Sequence, residues 1–427
     1  MKYIFFTLII FLVVKCVPLQ PIGSGNVITD QLVFDDFIYE PSIRSSRIYQ
    51  SSASRTAATT PAVAELWQQG SLILEFDDLA EEADNYYARV VHCNADWTKS
   101  SLNDLEFMSG INEFLIDQYD FSFNTKTPYV HYQLRLPRVK LSGNYILVVF
   151  RGSDRDDLVL SKRFLVVDRA VEIGAKAAMS SGISERRTHQ QVEFTINHGN
   201  HEILNPQRDI KVVIRQNQQW SNAITDLKPT LIRDDISQLI YEHFNLENNF
   251  MAGNEYRYFD LRSVTYAGIN VNNIIQERGQ LNAFLARDSP RRSAYSSYND
   301  INGKYILENT DPNRTDLESE YVKVHFFLGM ENPLEHDVYI MGELSNWAFN
   351  RENLMVYDSE IKGYRGSILL KQGWYSYLYY VPQALNPFVL EGNHYETENQ
   401  YEIIVYHRPI GARSDQIIGY RSFSFKN

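Results

Sequence analysis

The sequence predicts an all-β protein made of tandem immunoglobulin-like β-sandwich domains. Three observations point there. The 427 residues include 28 Tyr and 23 Phe, and aromatic side chains favour pleated, half-buried surfaces. Long runs of Ala, Leu, Glu and Lys, which helices prefer, are scarce. Residues 141–167 read as strand, tight turn, strand. Tyr145–Phe150 and Phe164–Val167 are almost all β-branched, aliphatic or aromatic. The loop between them holds Gly152, Ser153, Asp154, Asp156 and Asp157, which tolerate turn conformations. This hairpin is expected in the core of a sandwich.

Length alone suggests two to four domains. The formal charge is −12, from 41 Lys and Arg against 53 Asp and Glu. A net acidic chain repels a phosphate backbone, so nucleic acid is disfavoured as a partner. An electrostatic grip on anionic lipid is disfavoured for the same reason. Arg287, Arg291 and Arg292 form a local basic spot best read as a solvated loop. The two cysteines, Cys16 and Cys93, exclude a disulfide framework and Cys-type zinc sites.

Residues 1–16 are expected to be a signal peptide. Lys2 supplies a short positive region, and Tyr3–Val14 is an apolar run too short to span a bilayer. No later run approaches membrane-spanning length, so the mature chain is expected to have no transmembrane segment. Cys16 is a candidate lipidation site of the lipoprotein type, although Lys15 occupies the position where such signals carry a small residue.

Residues 17–61 read as an N-terminal arm or linker, opened by Pro18, Pro21, Gly23 and Gly25 and closed by a Ser/Ala/Thr stretch. Gln31–Phe34 and Phe37–Tyr39 are candidate edge-strand segments within it. Residues 62–170 are expected to form the first sandwich, beginning with a strand at Leu72–Phe76. Asp77, Asp78, Glu81, Glu82 and Asp84 read as a solvated acidic turn, and their spacing fits no defined calcium loop. His131–Pro137 alternates and stops at proline, as a half-exposed strand should.

Residues 171–290 are expected to form a second sandwich, with strands at Val192–Ile196, Lys211–Arg215 and Tyr256–Leu261. His198 and His201 flank Gly199 in a polar turn with no third metal ligand in view. Residues 291–318 read as a second linker, containing the sequon Asn313-Arg314-Thr315. Residues 319–427 are expected to form a third sandwich.

Reactive chemistry is not legible. The sequence lacks a Gly-x-Ser-x-Gly elbow, a P-loop, a His-Glu-x-x-His helix and a dinucleotide fingerprint. His92 and Cys93 are adjacent on an expected strand, so they point to opposite faces and are poorly placed to act as base and nucleophile. No catalytic, cofactor-binding or metal-binding residue is assigned, and the chain is expected not to be an enzyme.

Two resemblances add to this reading. In residues 319–427, Gly342 and Trp347, an amphipathic strand at Arg365–Leu370 and the Gly373 turn into Tyr375–Val381 resemble a starch-binding-type carbohydrate module. That makes Trp347 a candidate sugar or partner contact, along with Trp97. The position of the module's second stacking residue is filled here by Pro382-Gln383-Ala384, so the fold carries over better than sugar binding.

The second resemblance is longer. His92–Trp97, Asp120–Thr125, Tyr129–Tyr132, Leu141–Tyr145, Arg163–Val167, Gly342 with Asn346-Trp347, and Gly392–Asn399 resemble the plug-protein family of the type IX secretion system of Bacteroidota, over roughly residues 30–420. The resemblance implies a periplasmic protein associated with the outer membrane, a monomer within a complex. Its implied partner is the giant outer-membrane translocon β-barrel, whose periplasmic opening it seals when idle. No cofactor is implied. Rigid sandwiches with Tyr-rich faces would suit such a seal, and the need for release favours a polar, moderate interface. The alternative reading is an envelope carbohydrate-binding protein that uses its C-terminal module.

Overall fold

The computed structural model describes residues 31–52, 55–68 and 70–426. The expected signal peptide at residues 1–16, with Cys16, and residues 17–30 of the expected arm lie outside the described residues. The rest is almost entirely β, with two one-turn α segments at Asp104–Phe107 and Pro206–Asp209.

The first unit is a two-sheet sandwich. One sheet orders Phe37–Ile38, Leu158–Val167, Gly143–Arg151, Tyr86–Cys93 and Phe114–Leu115, with Val63–Glu65 also pairing Leu158–Val167. The other orders Ile43–Gln50, Leu72–Asp78, Val130–Arg135 and Gln118–Phe121. Phe76, Tyr86, Tyr132, Tyr145, Leu147 and Val149 are among the residues of the core between them. Thus the expected edge segment near Phe37 does form, while Ile43–Gln50, read as part of an arm, is a full strand of this sandwich.

The central hairpin is apolar for a further reason. Every residue from Gly143 to Phe150 is buried. Side chains on a strand alternate between faces, so burial of all of them requires cover on both sides. On the second face, Val91, Cys93, Ile146, Val148 and Val167 pack against Val213, Ile404, Tyr406 and Ile417. Those residues belong to a three-stranded sheet of Ile210–Gln216, Asn399–His407 and Gln416–Phe425. That sheet in turn covers a five-stranded sheet that includes Glu172–Met179, His189–Asn197 and Gln238–Tyr241. Four sheets are stacked, with an apolar core between each neighbouring pair.

The sheets do not divide at residues 290 and 319. The last two strands, expected within a third sandwich of residues 319–427, pair antiparallel with Ile210–Gln216 over a long register from Ile210↔His407 to Gln216↔Tyr401. Conversely, Arg257–Asp260, Val271–Glu277 and Gln280–Leu285, expected in the second sandwich, join the nine-stranded sheet of the third unit. So does Tyr305–Leu307, from the expected linker. The third unit is therefore an insertion within the middle one. Short alternating strands advertise their type and burial, but their partner is chosen by chain topology, which period-two patterning does not encode.

The tyrosines also differ from expectation. Tyr86, Tyr132, Tyr145, Tyr321, Tyr379, Tyr401 and Tyr406 are fully buried rather than spread over outer faces. Their hydroxyls find polar partners inside: Tyr86 donates to Asp78 at 2.7 Å, Tyr377 and Tyr379 both donate to Asp288 at 2.7 Å, and Tyr406 donates to Asn144 at 2.9 Å.

Candidate functional site

The residues singled out in the sequence gather at the junctions between units. The first junction is built from the loop after strand Tyr86–Cys93. His92 points into the first sandwich, edge-to-face with Tyr145 at 5.0 Å. Its neighbour Cys93 points the other way, into the contact with the middle unit. Burial holds the His92 imidazole down at about 4 and pushes the Cys93 thiol up to about 12. A neutral imidazole and a protonated thiol on opposite faces of a sheet pack and do not react. Gly143 lies against His92: a Cβ there would sit 2.5 Å from Nε2. The Leu141–Tyr145 segment thus needs its glycine for close approach.

Beyond Cys93 the loop reaches the C-terminal hairpin. The Ala95 amide donates to Asp415 Oδ2 at 2.9 Å, and Lys211 Nζ lies 3.0 Å from the same oxygen. Asn144 joins the units by donating to the Asn94 carbonyl at 2.9 Å while accepting from Tyr406. The Trp97 ring is nearly buried. The Arg163 guanidinium lies 4.4 Å from its centroid, and Trp220 meets it edge-to-face at 4.9 Å. Arg215 caps Trp220 at 4.4 Å. This alternation of cations and indoles joins the first unit to the middle one.

The second junction joins the first unit to the third through Asp77. Asp77 and Asp78, read as a solvated turn, instead end strand Leu72–Asp78 and are buried. Asp77 Oδ2 accepts from Lys371 Nζ at 2.7 Å and from the Tyr321 hydroxyl at 2.6 Å, and Oδ1 meets His131 Nδ1 at 2.7 Å. Burial alone would raise this carboxyl. The Lys371 ammonium and the His131 hydrogen bond outweigh burial and hold it well below the usual carboxylate range. Lys371 Nζ also sits 4.0 Å above the Tyr129 ring. Nothing in the local sequence at residue 77 points to a lysine 294 positions later.

A cleft opens where all three units meet, with about 690 Å³ of empty space including its mouth. Trp97 and Trp347, the two candidate contact residues, both line it, together with Trp220. Trp347 is half-buried and edge-to-face with Tyr256 at 6.1 Å. Five cations line the cleft, each matched by a carboxylate. The pairs are Arg47–Glu75 at 3.4 Å, Lys162–Asp36 at 3.9 Å, Arg163–Asp35 at 2.9 Å, Arg215–Glu402 at 2.6 Å and Lys304–Glu343 at 3.2 Å. Trp220, Arg47 and Arg215 were not picked out in the sequence; none belongs to a recognisable motif.

His198 and His201 form a turn, with His198 Nδ1 3.0 Å from the His201 carbonyl oxygen and His201 Nε2 3.0 Å from His407 Nδ1. Among the described residues no group of three or more His, Cys, Asp or Glu side chains is arranged to hold a metal ion. Nor is any described helix long and apolar enough to cross a membrane.

Stacked sheets, buried polar pins and inward-facing motif residues define a multi-sandwich β protein. Residues 43–168 match the model of the Type 9 secretion system plug protein 1st domain. The chain belongs to the type IX secretion system plug family. The crystal structure of a hypothetical protein from Parabacteroides merdae is similar, with 34% sequence identity and a TM-score of 0.85. That similarity covers 92% of this chain and 100% of the other. Comparison with curated proteins finds no match.

Proposed function

We propose that this protein is a non-enzymatic periplasmic plug that docks on the outer-membrane translocon barrel of the type IX system and closes its periplasmic opening when idle. The match of residues 43–168 to the plug family's first domain carries this reading. The architecture suits it physically. A seal must resist deformation by a passing or pressing chain. Four sheets stacked through continuous cores, with the third unit fixed by the Asp77–Lys371 pair, make a stiff body. In this role the protein is one copy within a complex with the barrel, and its chemistry is steric. The interface must also release, which favours a polar contact of moderate size.

The test is native purification of the tagged protein from detergent-solubilised envelopes, followed by mass spectrometry of what accompanies it. The expected result is stoichiometric recovery of a very large outer-membrane β-barrel, reduced when a secretion substrate is trapped in that barrel. Recovery of the protein alone under conditions that keep other envelope complexes intact overturns the reading.

A further inference from the structure

The segment Asp120–Thr125, singled out in the sequence, is divided between two roles. Its second half is tied to the third unit. The Phe123 amide donates to the Leu317 carbonyl at 3.3 Å, and Asn124 Nδ2 donates to Glu318 Oε1 at 3.0 Å. Its first half belongs to strand Gln118–Phe121, the outermost strand of its sheet, and all four residues of that strand are exposed.

Among the described residues this strand pairs only with Val130–Arg135, in the register Gln118↔Gln133 to Phe121↔Val130. The ladder continues with the Ser122 amide, which donates to the Tyr129 carbonyl at 2.9 Å. Hydrogen-bonded and non-hydrogen-bonded pairs alternate along an antiparallel ladder. Gln118, Asp120 and Ser122 therefore turn their backbone groups towards the neighbouring strand, and Tyr119 and Phe121 turn theirs outwards. The outcome is an open edge whose amides and carbonyls are spaced for another strand. Apolar side chains flank it. Tyr119 is 46% exposed and Phe121 50%, with their rings edge-to-face at 5.8 Å. Leu115, on the edge strand of the facing sheet, is exposed as well. An open edge lined with exposed apolar side chains is an aggregation liability for a protein that has no use for it.

Charge decides which strand fits. Asp117 and Asp120 are exposed and make no ion pair among the described residues. His131, which faces Asp120 across the ladder, is held by Asp77 at 2.7 Å. A second copy of the same edge would set these carboxylates against one another. Side chains alternate between the two faces of a strand. A strand with Lys or Arg on one face and apolar residues on the other thus meets the open amides, the acids and the aromatic rings together.

We propose that Gln118–Phe121 is the docking edge of this protein and takes up an extended, basic strand from the periplasmic side of the translocon barrel. This deepens the plug function proposed above and rests on it. A contact made largely of backbone hydrogen bonds is polar and limited in area, as release requires.

The test replaces Tyr119 or Phe121 of the full chain with a photo-crosslinking amino acid in cells that make the translocon. The tagged protein is purified natively and its cross-linked peptides are mapped by mass spectrometry. Cross-links from positions 119 and 121 are expected on a Lys- or Arg-bearing extended segment of the barrel. Phe121→Pro removes an outward amide without breaking the ladder and should weaken barrel binding about tenfold, the loss of one backbone hydrogen bond. Joint Asp117→Lys and Asp120→Lys substitution should also weaken it, and thermal midpoints near the parent's show that the variants fold. The proposal is overturned if the barrel co-purifies but positions 119 and 121 do not cross-link to it, or cross-link only to a second copy. It is equally overturned if both folded variants recover the barrel as well as the parent does. In each of those cases the plug function stands, because the barrel is still recovered. A parent protein that recovers no barrel overturns the plug function and the docking edge with it.

Discussion

At the scale of single residues, the interior is pinned by tyrosines and carboxylates. Asp77 is the clearest case, because its partners come from two units. Removing its charge leaves Lys371 buried and unpaired, so Asp77→Asn is expected to cost about 3–5 kcal/mol in chemical denaturation. A loss below 1 kcal/mol would mean that the pair is only decorative. Asp300 behaves in the opposite way. Burial, with Glu255 and Glu398 nearby, lifts its carboxyl to about 7, against the opposing hydrogen bonds from the Asn302 and Tyr256 amides. Its folded value lies above an unfolded value of about 3.9. Its contribution is therefore fully present below about pH 4 and is lost as pH rises through about 7. The stability difference between the parent and Asp300→Asn should shift in favour of the variant from pH 4 to pH 8. A difference independent of pH would contradict that assignment. Neither carboxylate was legible as special in the sequence. Asp77-Asp78 followed by Glu81 and Glu82 has the composition of a solvated turn, and only a lysine brought in by tertiary folding makes Asp77 a core residue.

At the scale of elements, strand identity was largely legible and strand partnership was not. Tyr145–Phe150 and Phe164–Val167 read as buried strands, and they are buried on both faces because the middle unit covers the second one. The close packing of Gly143 on His92 likewise brings together two motifs separated by about fifty residues. The C-terminal strands could not be placed from their pattern. Asn399–His407 carries the continuous apolar run Ile403–Tyr406, which would suit any strand covered on both faces, and its pairing with Ile210–Gln216 spans nearly two hundred residues. Truncation after Glu398 tests the observed topology. It should strip two of three strands from the middle unit's second sheet and make residues 171–252 the first to be cleaved in limited proteolysis. Loss confined to residues 257–392, with the middle unit left resistant, would contradict the pairing.

At the scale of the whole molecule, the first and middle units meet through an apolar core with polar pins at its edge, the first and third through the buried Asp77–Lys371 pair, and all three at one cleft; the fold presents no reactive dyad in its most distinctive motif. His92 and Cys93 are separated by the sheet that carries them, and Trp97 is held between Arg163 and Trp220. The motifs at His92–Trp97 and Leu141–Tyr145 thus sit at the joint between the first and middle units. The cleft was half legible: Trp97 and Trp347 stood out separately, but their convergence depends on the third unit being inserted into the middle one. Sealing is the central claim, and envelope permeability tests it most directly. In cells with an intact, idle type IX translocon, deleting this protein should admit a large hydrophilic antibiotic such as vancomycin. Re-expression should restore exclusion, and removal of the translocon barrel as well should abolish the leak. An envelope that stays as tight without the protein as with it, while the barrel is present and idle, would contradict the claim.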